Sequence, residues 1–202
     1  ALGFQSIVTD GNPHAPALRQ GDAPYVLSTV DIDGHRELMP DLLRQWTIRG
    51  VVCCGHDVAP TVAVCAQLAH VPGIPLDVAQ RTYDKDAVRD TLGLAGLGCY
   101  QPEYLTLYPD EWEAKRDLRR FWRCALGSGS RHGRYPLVVK PTQQRASRGL
   151  TIVRQQEDEA DAVSKAFEYG APILLEECLR GSEHSVEAIF GDGAEMLWYN
   201  IV

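Results

Sequence analysis

The sequence is most informative first in what it lacks. No apolar run in the 202 residues approaches the roughly 20 that a membrane-crossing helix needs, which argues against a membrane partner. The opening Ala1-Leu2-Gly3-Phe4-Gln5 has none of the basic-then-apolar layout of a secretory signal, so nothing points to export. The six cysteines, Cys53, Cys54, Cys65, Cys99, Cys124 and Cys178, show no CxxC spacing and read as thiols of a reducing, cytoplasmic compartment rather than as zinc ligands. Basic charge is in deficit: 20 Lys and Arg against 27 Asp and Glu give a net charge of −7, and that field repels a nucleic-acid backbone. There is no GxSxG and no Cys–His pairing, which disfavours hydrolysis through a covalent intermediate. Residue 1 is not Met, and Ala1 to Phe4 reads as the last turn of a helix, so the chain is expected to be cut. What remains, 45% apolar and 23% charged, is an ordinary folded body of one domain or two small ones.

Two halves of different character are expected. Gln5 to Asp10 reads as a short buried strand closed by the turn cluster Asp10-Gly11-Asn12-Pro13, and Pro24 to Ser28 as a second. Asp33 to Arg49 carries Leu38, Leu42, Leu43 and Trp46 at helical spacing. Gly50 to Gly55 reads as a further strand, and Asp57 as the cap of a helix from Ala59 to Ala69. This alternation predicts a parallel α/β unit over residues 1–75, bounded by Pro72 to Pro75. Residues 76–202 then predict an α+β unit with an antiparallel sheet. Its helices cover Asp84–Leu94, Asp110–Leu126 and Glu157–Tyr169, and residues 127–134 form a loop. Its strands cover Tyr104–Leu107, Pro136–Lys140, Leu150–Arg154, Pro172–Glu177, Glu183–Phe190 and Ala194–Val202, with a turn at Gly191–Gly193.

Two segments carry chemistry. In YPLVVKPTQQRASRGL a core strand ends on Lys140, whose charge must find water or an anion. The turn that follows offers Thr142, Arg145, Ser147, Arg148 and Gly149, which suit phosphate oxygens; a solvated hairpin with a lysine at its rim is the plainer alternative. In ILLEECLRGSEHSVEAI, Glu176 and Glu183 lie seven positions apart across a turn. The backbone of Glu177 and Leu179 could pair with the edge of a planar heterocycle, and Glu183 could accept from ribose hydroxyls, or both acids are ordinary strand-end charges. His56 with Asp57 could bind a substrate anion or simply cap a helix, while Glu187 and Asp192 read as structural. The arginines from Lys115 to Arg123 read as the wet face of a helix.

In this order the segments resemble the ATP-grasp superfamily over nearly the whole chain. The helix start in RTYDKDAVRDTL, the YPLVVKP strand, the SRGL loop end and the LLEECLRGSEHSVEAI hairpin carry the resemblance. IVTDGNPHAP and GVVCCGHDVAPTVA likewise resemble the Rossmann-like domain that precedes the ATP-grasp module, and the match looks closest to the branch of carbamoyl phosphate synthetase large chains and biotin carboxylase. D-alanine and amino-acid ligases share the nucleotide site. The resemblance implies that Lys85 and Lys140 hold ATP phosphates and that Thr142 to Gly149 close over them within a lid at about 127–172. It implies Glu176 beside the adenine amino group, Glu177 and Leu179 on the purine edge, Glu183 on the ribose, and Ile152 with Leu175 around the base. The activity implied is that of the ATP-binding part of an ADP-forming ligase, joining a small carboxylate to an amine or ammonia through an acyl phosphate.

Two departures temper it. QQRASRG holds one glycine where relatives have several, so Arg145 or Arg148 is expected to compensate. The chain also stops at Asn200-Ile201-Val202, before the acid and acid-x-asparagine residues that bind magnesium in relatives; those ligands are expected beyond residue 202, and no metal ligand is named. A catalytically silent, truncated nucleotide-binding module is therefore the alternative, and a first unit that binds a metabolite without ATP a third. A homo-oligomer is compatible with either.

Overall fold

The computed structural model describes residues 3–53, 58–115, 117–126, 135–191 and 195–202. In the first unit β1 (Ile7–Asp10) and β2 (Ala23–Val26) run parallel, Ile7 opposite Ala23, joined through the short helix α1 (Pro16–Gln20). The Asp31 carboxylate accepts the Gly34 N–H at 2.9 Å and so starts α2 (Ile32–Gln45). Helix α3 (Ala59–Leu68) packs on α2, and Met39, Leu42 and Cys65 form the small core between helices and strands. His35 is buried and ties α2 to β1: its Nδ1 lies 2.7 Å from the Asp31 carbonyl and its Nε2 3.1 Å from Thr9 Oγ1. Since a carbonyl only accepts, Nδ1 carries the proton and Nε2 accepts from the threonine.

Among the described residues the parallel reading is thus realised as a single strand pair. The expected strand from Gly50 is not formed over its described residues 50–53, and residues 54–57, including His56 and Asp57, lie outside the described residues. Ile48 and Val51 still pack against the Met39 core while Val52 is exposed.

Pro75 leads directly into α4 (Leu76–Tyr83), a helix that the sequence reading does not contain. It packs on α3, and Gly73 lies so close that a Cβ there would stand 2.8 Å from the Ala66 Cβ. The Pro72–Pro75 stretch is therefore held against α3. Asp84 then caps α5 (Lys85–Leu94) by accepting the Asp86 N–H at 3.0 Å.

The second unit is built on β3 (Tyr104–Leu107), β4 (Leu137–Pro141), β5 (Thr151–Val153) and β6 (Ile173–Glu177), all antiparallel in the order β3-β6-β4-β5. One face of this sheet is covered by α6 (Pro109–Lys115), α7 (Leu118–Leu126) and α8 (Glu159–Phe167), around Leu107, Trp122, Leu137, Val139, Val153, Val163, Ile173 and Leu175. The single helix expected from Asp110 to Leu126 is two helices. The second has its own N-terminal acceptors: the buried Glu159 carboxylate takes the Leu118 N–H at 2.9 Å, and Asp117 takes the Arg120 N–H at 2.8 Å. Tyr135 donates its hydroxyl to the same Glu159.

The last two strands, β7 (Val186–Phe190) and β8 (Met196–Ile201), pair antiparallel with each other. Among the described residues they join no other strand, so β6 and β7 do not form the expected hairpin. Val186, Ile189, Phe190, Leu197 and Tyr199 stand exposed on this ribbon. Residues 192–194, with Asp192, lie outside the described residues, as does the loop 127–134. Among the described residues no helix is long and apolar enough to cross a membrane.

Two phenols report on the second unit's integrity. Burial, reinforced by donation to Asp90 at 2.7 Å, raises Tyr104 from the ordinary value of 10.0 to about 12. Burial and the bond to Glu159 also raise Tyr135. A raised folded-state value contributes stability that is complete below pH 10 and is lost as pH rises through the folded value. Denaturant midpoints should therefore fall between pH 10 and 12, and Tyr104→Phe should make that fall shallower.

Candidate functional site

The parity of the antiparallel sheet decides what faces what. Leu175 and Ile173 of β6, with Leu137 and Val139 of β4, point into the helix-covered core. The alternate residues, Glu176 and Leu174 of β6, Lys140 and Val138 of β4, Ile152 of β5 and Thr106 and Tyr104 of β3, share the opposite face. Helix α5 lies over part of that face, where Asp86 accepts from Thr106, Asp90 from Tyr104, and Arg89 reaches Glu176.

Glu176 is the centre of the arrangement. It is 4% exposed; its Oε2 lies 2.5 Å from Lys140 Nζ, and its Oε1 accepts the Arg89 Nε–H at 2.9 Å and stands 2.8 Å from Arg89 Nη2. A buried carboxylate deprived of its partner costs about 3–5 kcal/mol, so two cations on one carboxylate is a well-compensated arrangement with one positive charge left over. A spare positive charge in a partly buried site attracts anions.

The other lysine works at the exit of β4. The Lys85 backbone N–H donates to the Thr142 carbonyl at 3.0 Å, and its Nζ donates to the carbonyls of Thr142, at 3.3 Å, and of Gln144. Gln143 donates to Asp84 Oδ2 at 2.8 Å. Arg145 donates to the Tyr83 carbonyl at 2.7 Å and lies 4.1 Å from the Tyr83 ring centroid, a cation–π contact. The start of α5 and the end of α4 thus fasten the turn that follows Lys140. Ala146 and Ser147 then take left-handed backbone, φ 52° and 56°, and Gly149 follows at φ 71°. A Cβ on Gly149 would stand 2.8 Å from both Pro141 Cγ and Tyr169 Cδ2.

The structure brings Lys85, Lys140, Thr142, Gly149 and Glu176 to one corner of the sheet. Ser147 and Arg148 are exposed on the turn. Of the two arginines expected to compensate for the missing glycines, Arg145 is fastened beneath α4, which leaves Arg148 on the outer side. Leu179 and Glu183 are exposed beyond β6, and no described contact joins them to this corner. The Glu177 N–H donates to the Glu103 carbonyl at 3.0 Å. One implied role needs correction. Leu175 is fully buried on the core face and cannot flank a base with Ile152; Leu174 and Val138 share the face that Ile152 occupies. Arg89 is the residue the sequence reading missed, and its signal is the four-residue spacing from Lys85, which puts both on one helix face.

Beside this corner lies a cleft of about 780 Å³ lined by Val30, Ile32, Thr61, Tyr83, Asp84 and Gln143.

A family model described as the D-Ala-D-Ala ligase C-terminus matches residues 94–199, just over half of the chain. The chain belongs to this family. D-alanine–D-alanine ligase of Geobacter sulfurreducens is 43% identical over 160 residues, covering 76% of this chain and 45% of that protein. The enzyme of the same name from Halalkalibacterium halodurans is 36% identical over 63 residues, 31% of this chain and 21% of its own length. The chain thus spans less than half of the length of these curated relatives. Among solved structures, N5-carboxyaminoimidazole ribonucleotide synthetase in its ADP complex matches 98% of this chain and 46% of its own at TM-score 0.66 and 19% identity. L-amino acid ligase from Bacillus licheniformis matches 90% of this chain and 39% of its own at TM-score 0.63, also at 19%. These likenesses are likenesses of fold, and with the family model they support the ATP-grasp superfamily.

Within the D-Ala-D-Ala ligase family frame, magnesium is the implied metal. Among the described residues no group of three or more His, Cys, Asp or Glu side chains could hold a metal ion, so these residues do not by themselves fit a magnesium site.

Gly149→Ala tests the turn. Left-handed backbone and the two close contacts should cost about 1–3 kcal/mol in denaturant unfolding. Hydrogen exchange at the Leu150 amide, which donates to the Ser147 carbonyl at 3.2 Å, should quicken more than exchange in β1 and β2.

Proposed function

We propose that this chain is the ATP-binding portion of an ADP-forming carboxylate–amine ligase that works through an acyl phosphate. The observation that carries the reading is the Lys140–Glu176–Arg89 cluster on the open face of the sheet, next to a turn whose carbonyls are gathered by Lys85. A phosphoryl transfer asks the protein mainly for positioning and charge neutralisation, and a cationic corner with a fastened turn supplies both. In this reading Lys140 and Lys85 meet phosphate oxygens, Thr142, Ser147, Arg148 and Gly149 border them, and Glu176 faces the exocyclic amino group of adenine. The backbone of Glu177 and Leu179 meets the purine edge, Glu183 meets the ribose, and Ile152 and Val138 support the base. Residues 1–75 and 76–202 act as two units that together exclude water from the acyl phosphate; β4 is laddered to β6, so the lid expected at about 127–172 does not move apart from the sheet.

The chemistry balances simply. The γ-phosphoryl group passes from ATP to a carboxylate oxygen and ADP leaves; an amine then attacks the acyl carbon, phosphate departs, and the amine gives up a proton. The cleft at Asp84 and Gln143 gives the carboxylate substrate room beside the phosphate turn. Of the branches the sequence resembles, the D-alanine ligases are the one the curated relatives name, which makes an amino acid the favoured substrate class. The silent-module alternative draws no support from those relatives.

Calorimetric titration of the chain with ATP tests the reading. Wild type should bind ATP, and Lys140→Ala should weaken binding by at least about tenfold, or 1.4 kcal/mol. Unchanged affinity in a folded Lys140→Ala protein would remove the assignment.

A further inference from the structure

Lys140 is held by Glu176 at 2.5 Å, yet the reading above needs its ammonium group at a phosphate. Glu176 is 4% exposed, and a carboxylate so placed cannot be left without a counter-ion. Arg89 resolves the conflict. It holds the other oxygen, Oε1, through its Nε–H at 2.9 Å with Nη2 at ion-pair distance, 2.8 Å, and its side chain is itself only 20% exposed. The neighbouring carboxylates of α5 are engaged elsewhere, Asp86 by Thr106 and Asp90 by Tyr104. The Arg89 carbonyl accepts Gln101 Nε2 at 3.1 Å, which ties this turn of α5 to the 98–101 segment.

We propose that Arg89 is a positioning residue that stands as the second counter-ion of Glu176 and thereby frees Lys140 for a nucleotide phosphate. This rests on the nucleotide-binding reading. With Arg89 present, Lys140 leaves Oε2 and the carboxylate remains paired and fixed in place. Without it, Lys140 is the last cation on a buried carboxylate, and every phosphate contact it makes strips that carboxylate bare. Guanidinium suits the task because it stays charged and combines a directed N–H bond with an ion pair on the same oxygen.

The distinguishing feature is that the loss depends on the charge of Glu176. A double-mutant cycle on the 202-residue chain, read by calorimetric titration with ADP, tests it. Arg89→Met should weaken ADP binding by about tenfold or more. In a Glu176→Gln background the same Arg89→Met change should alter ADP affinity by less than about threefold, since a neutral amide does not trap the lysine. If Arg89→Met does not fold, Arg89→Gln takes its place in both arms with the same expected pattern. A loss of similar size with and without the Glu176→Gln change would mean that Arg89 merely supports the fold, and would overturn the proposal. So would wild-type affinity in the single variant. If wild type fails to bind ADP, the nucleotide reading falls and takes this inference with it; if wild type binds and only the Arg89 pattern fails, the nucleotide reading stands without it.

Discussion

A carboxylate that has lost nearly all contact with water, and is held at both oxygens by cations from different elements, is the constraint around which the second unit is organised. Glu176 sits on β6, Lys140 on the adjacent β4 and Arg89 on α5, so two ion pairs on one carboxylate tie the paired strands, the seat of the helix and the direction of the lysine together. Such a cluster is a weak source of stability, because desolvating three charges offsets most of their attraction. Its value is directional: the residual positive charge stands on the open face of the sheet, at the point where β4 gives way to the turn.

The turn is fastened from beneath. Lys85 gathers the carbonyls of Thr142 and Gln144, and Arg145 stacks on Tyr83 while bonding its carbonyl. Left-handed backbone at Ala146, Ser147 and Gly149 then folds the chain back toward β5. The junction of α4 and α5 is thus the anchor of the loop as well as the cap of a helix, and Asp84 serves both by accepting from Asp86 and from Gln143. This explains how a loop with a single glycine holds a tight path: side chains from another element take over what several glycines would otherwise permit.

Much of this was legible in the sequence. Lys140 at the end of a core strand, Glu176 in the next strand of the sheet and the Asp84-Lys85 helix start were each visible as charges in places where charge needs a reason. What was not legible depended on partners distant in the chain. Residues 50–53 have the apolar character of a strand but are not assigned as one among the described residues, because local pattern encodes burial and not the presence of a neighbouring strand. The charged helix after Pro109 breaks in two because Glu159, some forty residues on, supplies an acceptor at its middle. Leu175 in the core was legible as well: Glu176 and Leu175 are adjacent in a strand and must face opposite ways, so a site role for one puts the other in the core. Arg89 was also within reach, one helical turn from Lys85, but only the packing of α5 on the sheet reveals which carboxylate it meets.

The most direct test of this picture is a crystal structure of the chain with ADP bound. The account predicts a nucleotide over the open face of the β3-β6-β4-β5 sheet, with phosphate oxygens within hydrogen-bonding distance of Lys140 Nζ, the adenine amino group facing Glu176, and Arg89 still on that carboxylate. Nucleotide bound elsewhere, with the Lys140–Glu176 contact intact and no phosphate beside it, would contradict it.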